Sequence, residues 1–262
     1  MSWTGKILRI NLTDRTATPE PLNMEWAHLY LGQRGLATKY LSEEVDPKTD
    51  PLSPENTLYM VTGPLTGTMA STGGRYSCVT ISPLTKALAC SNSGGFFGNE
   101  MKCAGWDMII LEGKASSPVY ISIVDDECSI LPADEIWGKS VWEADEWLHQ
   151  KHQDPQLRIA AIGIPGERGN LYSAIVNDLH RAAGRSGVGT VMGSKNVKAV
   201  TLRGTKGVGN IKDPKRFFVA TQKAKDIIAN NEMVQGLSAL GTNVMMNHMN
   251  EVGALPARNW QD

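Results

Sequence analysis

Three short segments combine glycine with the side chains best suited to hold an anion or a metal ion. STGGRYS, from Ser71, places two glycines before Arg75. The glycines let the backbone approach a ligand closely, and the guanidinium offers a planar fork to phosphate or carboxylate. SNSGGFFG, from Ser91, joins small polar residues to three glycines, so that amides and carbonyls can face a ligand or cation. Both also read as ordinary tight turns beside a strand. HRAAGRSGVG, from His180, is the stronger candidate, because Arg181 and Arg185 flank small residues. Gly189 then opens a segment that reads as helical, whose free amides would favour an anion. No GKS or GKT stands in the frame of a phosphate-binding loop, and GRSGVG alone is a weak dinucleotide signature. His180 reads as a hydrogen-bonding residue beside the loop, not a base.

No catalytic side chain emerges. There is no GxSxG serine and no cysteine placed with a histidine, and Glu100, Asp107, Glu112, Glu167 and Asp178 read as solvated charges or local caps. Cys78, Cys90, Cys103 and Cys128 lack the spacing of a zinc or iron-sulfur site, so buried reduced thiols are expected. A bound ligand would have to bring the chemistry.

The elements that position these segments repeat. GFFGNEMKCAGWDMIILEG, from Gly95, aligns without a gap on GVGTVMGSKNVKAVTLRG, and the interval Gly98 to Gly113 equals the interval Gly189 to Gly204. A Tyr-Ser strand pattern precedes each copy, at Tyr76 and at Tyr172. Before that comes an apolar strand breaking into a Gly/Pro turn, from Leu58 and from Arg158. One supersecondary unit used twice predicts a pseudo-twofold axis, with two similar loops converging on one ligand.

Elsewhere, GKILRINLTDRTATPEP from Gly5 predicts a hairpin turning at Asp14-Arg15, and PVYISIVDDECSIL from Pro118 another turning at Asp125-Asp126. Asn23 is placed to cap a helix that runs into Gly32 to Gly35. Ser140 with Glu143 forms a capping box for a helix from Trp142 to His152. From residue 207 the pattern changes. Asp213-Pro214 starts a helix to about Ala229, and a second helix would carry Val234, Leu237, Leu240 and Val244 to a stop at Gly253. The tail ALPARNWQD brings no closing element, so the chain reads as truncated or as one of two pieces. The expected class is α+β: residues 1–207 a domain of two related β-sheet repeats forming a pseudo-twofold saddle, and 208–262 the start of an all-helical domain.

Length and charge set outer bounds. The 262 residues bury a large core. A net charge of −1 argues against a nucleic-acid surface, and the absence of a signal segment or a long apolar run leaves no membrane anchor and a reducing cytoplasm as the expected compartment.

GPLTGT from Gly63, GGRY from Gly73, NSGGFFG from Asn92, KCAGWDMIILEGKA from Lys102 and HRAAGRSGVGTVMGSKNVKAV from His180, taken together, resemble the aldehyde ferredoxin oxidoreductase family. GKILRINLT from Gly5 and DPLSPEN from Asp50 fit it too, so the resemblance covers almost the whole chain. It implies the cofactor-binding N-terminal portion of a tungsten, or molybdenum, enzyme that oxidises aldehydes to carboxylic acids and reduces ferredoxin. It also implies a bis-pyranopterin cofactor lying on the two-repeat saddle. By the same resemblance Arg75 and Arg181 bind the cofactor, together with Asn92, Gly94, Ala182 and Gly184. The backbone carbonyls of Asn92 and Ala182 would hold a magnesium ion between the two pterin phosphates. The iron-sulfur cluster, the ferredoxin contact and most of the aldehyde pocket belong to family segments that have no counterpart here, so a C-terminal remainder or a second polypeptide is the implied partner. Two other readings stand beside this one: a non-catalytic remnant that holds the pterin phosphates without turnover, and an ordinary phosphate- or nucleotide-binding domain.

Overall fold

The computed structural model describes residues 2–258 and 261; Met1 and, in the ALPARNWQD tail, Asn259, Trp260 and Asp262 lie outside the described residues. The chain divides into two compact units between Lys212 and Asp213.

The first unit opens with the hairpin β1 (Lys6–Asn11) and β2 (Thr16–Pro21), turning through Arg15 at φ 55°. Next come α1 (Met24–Tyr30) and α2 (Gln33–Glu44), and Asn23 caps α1 by accepting from the Trp26 amide at 3.0 Å. The strands β3 (Leu58–Thr62), β4 (Tyr76–Ile81) and β5 (Leu88–Ser93) follow, then α3 (Phe97–Cys103) and β6 (Met108–Glu112). The same order of strands then recurs, with one helix after the hairpin instead of two and a short helix added after the third strand. The hairpin β7 (Val119–Val124) and β8 (Glu127–Pro132) turns at Asp125, and α4 (Val141–His152) carries the Ser140–Glu143 capping box. After it come β9 (Arg158–Ala161), the short α5 (Ile164–Glu167), β10 (Ile175–Asn177), β11 (Arg181–Ala183), α6 (Val188–Ser194) and β12 (Val197–Arg203).

Two six-stranded mixed sheets result, ordered β2-β1-β6-β3-β4-β5 and, read from the other edge, β8-β7-β12-β9-β10-β11. In each, one parallel pair joins the hairpin to the last strand, and every other pair is antiparallel. The repeat is therefore wider than the glycine echo suggested, because it includes both hairpins and the helices after them. Register fixes the equivalences. Val61 lies opposite Met108 and Ser77, while Ala161 lies opposite Ala199 and Val176. On this count the mate of Tyr76 is Ile175. The Tyr-Ser match at Tyr172 is a misreading: Tyr172 sits in the turn before β10 and is exposed, whereas Tyr76 starts a strand and is buried.

Alternation along the strands explains the layers. In β6, Met108 and Ile110 face α1 and α2, while Ile109 and Leu111 enter the inner core. Both faces are covered, so the strand reads as a continuous apolar run. The inner core takes residues of both sheets with Phe97 and Met101 of α3 and Val188, Val191 and Met192 of α6. Helix α4 covers the outer face of the second sheet through Ala144 and Leu148.

Several charges expected at a solvated face are ion-paired instead. Asp107 is buried against Lys102 at 2.5 Å, and Glu167 is buried against Lys198. Glu112 shares Arg9 with Glu20 and Glu44, and Glu100 pairs with Arg203. Lys195 is buried with carbonyls for partners, Gly113 O at 2.9 Å and Pro54 O at 3.3 Å. Burial pushes its ammonium down to about 8. All four cysteines are free. Cys78 is buried and the others half-buried, and burial raises the thiol pKa of each.

The second unit begins with α7 (Pro214–Ala229), capped by Asp213. The single helix expected next is broken. Gly241, at φ 63°, ends α8 (Glu232–Leu240), a 3-10 turn carries Val244 over Gly241–Met245, and α9 (Met246–Glu251) follows. No helix among the described residues is long and apolar enough to cross a membrane.

Candidate functional site

Strands β5 and β11 are the edge strands of the two sheets, and they lie against each other. Asn92 pairs with Ser77, and Ala182 pairs with Val176. Ser77 and Val176 are themselves repeat mates, so Asn92 and Ala182 occupy equivalent positions in the two repeats. Gly94 and Gly184 stand two residues beyond them, equivalent in turn. The sequence-predicted residues are thus brought to one junction, four of them as two symmetry-related pairs.

The arginines break that symmetry. Arg75 precedes β4 and donates from Nη1 to Asn92 Oδ1 at 2.6 Å, while Gln33 Nε2 and Thr66 Oγ1 hold its carbonyl at 3.0 and 3.2 Å. Arg181 opens β11, and the repeat mates of the two arginines are Ala174 and Ser91, neither of them charged. Arg75 and Arg181 are both exposed, and no carboxylate pairs with either among the described residues. Arg34 and Arg185 share this condition. They line a cavity of about 670 Å³ with Gly32, Gln33, Ser77, Cys90, Asn92, Ala182 and Gly184. Its lining is largely polar, and its volume suits a small-molecule ligand. Burial raises the pKa of the Cys90 thiol, against an opposing pull from Arg34 and a hydrogen bond with Ser77. A protonated thiol of this kind is not a nucleophile.

Two readings of this region need correction. The Gly189 amide is not free: it donates to Ser173 O at 3.0 Å, and the start of α6 is buried. His180 hydrogen-bonds through its backbone amide to Asp178 O at 2.6 Å, while its ring has no partner among the described residues. The helix that does begin at the junction is α2, whose start at Gly32 has no side-chain cap. In the second repeat the start of α4 lines an apolar cavity of about 400 Å³ with Trp142, Ile164, Pro165, Tyr172 and Val176. The two cavities differ in polarity: the polar one draws on both repeats and is flanked by Arg34, and the apolar one lies within the second repeat and is flanked by Trp142.

Sequence reasoning missed Gln33, Arg34, Asn177 and Asp178. Asn177 is buried and uses all four hydrogen-bonding positions of its amide, accepting from Ser93 Oγ and Tyr76 OH and donating to Gly94 O and Asp178 Oδ2. Asp178 Oδ2 also accepts from the Phe96 amide at 2.7 Å.

Residues 7–204 match the family described as aldehyde ferredoxin oxidoreductase, N-terminal domain. The chain belongs to the aldehyde ferredoxin oxidoreductase family. It is 49% identical over 260 residues to the tungsten-containing aldehyde ferredoxin oxidoreductase of Pyrococcus abyssi, covering 99% of this chain and 43% of that protein. It is 33% identical to an aliphatic sulfonate oxidoreductase, WOR-like subunit, of Pyrococcus furiosus, over 44% of that protein's length. Among solved structures, the active site complex BamBC of benzoyl coenzyme A reductase is similar at a TM-score of 0.86 and 36% identity, covering 88% of this chain and 35% of that one. The chain thus spans less than half the length of these family relatives.

Proposed function

We propose that this aldehyde ferredoxin oxidoreductase family chain is the floor of a tungsten, or molybdenum, bis-pyranopterin site, working with the remainder of an enzyme that oxidises aldehydes and passes electrons to ferredoxin. The observation that carries the reading is the β5–β11 junction. A roughly twofold ligand with two phosphates would meet two equivalent backbone positions, Asn92 and Ala182, and guanidinium groups that no carboxylate among the described residues pairs with.

The residues present fit such a group. A Cβ built at Gly94 meets nothing within 4 Å, and one at Gly184 meets only Ala182 Cβ at 4.0 Å, so the space above both glycines is free for a ligand. Arg75 and Arg181 would hold the phosphates through charge-assisted hydrogen bonds, each worth about 1.5–3 kcal/mol. Arg34 and Arg185 would add counter-charge from the cavity wall. The carbonyls of Asn92 and Ala182 suit magnesium, a hard cation that takes oxygen ligands. When bound, the cofactor supplies the two-electron redox centre, and its dithiolene sulfurs hold the metal. This chain's own residues bind and orient it. Burial keeps the Cys78 and Cys90 thiols protonated, so they offer no competing thiolate. The iron-sulfur centre, the ferredoxin contact and the aldehyde pocket are assigned to the part of the relatives that this chain does not cover.

The test replaces both Arg75 and Arg181 with Ala in the complete enzyme and measures tungsten, molybdenum and pterin per mole of purified protein. Loss of cofactor with a retained fold is expected. Normal cofactor content in the double variant would overturn the assignment.

A further inference from the structure

The two halves of the proposed site come from different repeats, and a long stretch of chain, from α3 to β10, separates them in sequence. Asn92 and Gly94 belong to the first repeat, Arg181, Ala182 and Gly184 to the second. Their separation must be set by contacts across the β5–β11 junction. One side chain bridges it most fully. Asn177 is 1% exposed, and its backbone pairs with Arg181 in register. From that position its Nδ2 crosses to Gly94 O at 2.9 Å, while Ser93 Oγ reaches its Oδ1 at 2.6 Å. Asp178 extends the grip to the Phe96 amide. Between these two anchors lies Gly95, at φ 88°, where an added Cβ would stand 2.2 Å from Asp178 Oδ2.

The repeat provides an internal control. Register makes Cys78 the mate of Asn177, since Met60 lies opposite Cys78 as Ala160 lies opposite Asn177. The first repeat builds the same strand with a buried thiol at that place, so the strand itself does not require an amide. The amide serves the junction. We propose that Asn177, with Asp178, is a positioning residue that sets the distance between the Asn92–Gly94 and Arg181–Gly184 segments, and so the affinity of the site for magnesium and the pterin phosphates. This rests on the cofactor reading above.

Asn177→Asp keeps the shape of the side chain but presents a carboxylate oxygen to the Gly94 carbonyl and the Asp178 carboxylate. In the complete enzyme carrying this chain, magnesium and pterin per mole should fall at least tenfold, with recovery when magnesium is raised throughout purification. Mass action restores a weakened site and does not restore an unfolded one. Asp178→Ala, at a half-buried position, removes the Phe96 anchor together with the Asn177 Nδ2 bond and the Arg158 pair, leaves the Asn177–Gly94 bond in place, and should cost about threefold; it also keeps the test open if Asn177→Asp does not fold. Ser140→Ala, which weakens the cap of α4 away from the junction, lowers stability and should retain the cofactor. Normal magnesium and pterin in the folded Asn177→Asp variant, or in Asp178→Ala where Asn177→Asp does not fold, overturns the proposal. So does a loss that follows melting temperature across all three variants and ignores magnesium, because that marks a packing residue. Wild-type enzyme without pterin instead sinks the cofactor reading, and the role of the clamp goes with it.

Discussion

At Gly94 and Gly184 the fold and the proposed ligand make separable demands. Neither residue has a positive φ, and neither would crowd the protein with an added methyl group. Gly94→Ala and Gly184→Ala should therefore leave urea stability within about 1 kcal/mol of the parent, on the favourable side if anything. Pterin content should drop tenfold or more, since the methyl enters the ligand's space. Full pterin content in both variants would show that the cofactor does not pass over these glycines. Gly95→Ala is the opposite case: its φ of 88° and the 2.2 Å approach to Asp178 predict a loss of about 1–3 kcal/mol by urea unfolding, before any ligand is considered. Much of this was legible in the sequence, because Arg75, Asn92 and Arg181 stand inside glycine-rich phrases with a chemical meaning. Arg34 and Asn177 were not. GQRG at the start of a helix and an Asn ending a strand look ordinary until long-range pairing places them at one junction.

Among the elements, what was readable depended on the range of the interaction. The capping box of α4 is spelled by residues three apart, and Ser140 Oγ does accept from the Glu143 amide at 3.3 Å. Ser140→Ala should cost about 1 kcal/mol, measured as a lower chemical midpoint at unchanged slope. The buried ion pairs could not be read that way. Lys198 sits on β12 and Glu167 ends α5, and only the sheet brings them together. Asp107 pairs with Lys102 across the turn from α3 to β6 and also receives the Gly5 amide at 2.8 Å. Lys102→Met leaves that carboxylate buried without its cation, so a loss of about 3–5 kcal/mol is expected. A change below 1 kcal/mol would mean that Asp107 takes up a proton or is hydrated when its partner goes. The hairpins went unrecognised as part of the repeat because their sequences diverged while their strand order did not. A conserved pattern of pairing leaves no local spelling to read.

In the first unit as a whole, the two repeats are sealed at a seam that Lys195 closes. It stands just after α6 of the second repeat, yet its ammonium donates to Gly113 O, past the end of β6, and to Pro54 O in the loop before β3. Relatives with names as different as aldehyde, aliphatic sulfonate and benzoyl coenzyme A enzymes are similar to this unit. A fold shared by relatives so differently named must hold its own geometry. Lys195 provides a reading of that seam through pH. Burial lowers its folded pKa from 10.5 to about 8. Between those values the unfolded chain binds the proton and the folded one does not, so stability rises with pH across this window. Below about pH 8 both states are protonated, and the burial penalty is present in full. Over the whole window the relief amounts to about 3 kcal/mol, at about 1.4 kcal/mol per pH unit. Lys195→Met removes this titration, and with it two hydrogen bonds to backbone carbonyls. The stability difference between wild type and Lys195→Met, taken from urea unfolding at steps from pH 7 to 10, should be flat up to about pH 8 and then move steadily in favour of wild type. Other titrating groups cancel in that difference. A difference that stays constant to pH 10 would place the Lys195 amine in contact with water and the seam open, while one that moves towards the variant would reverse the sign of its burial.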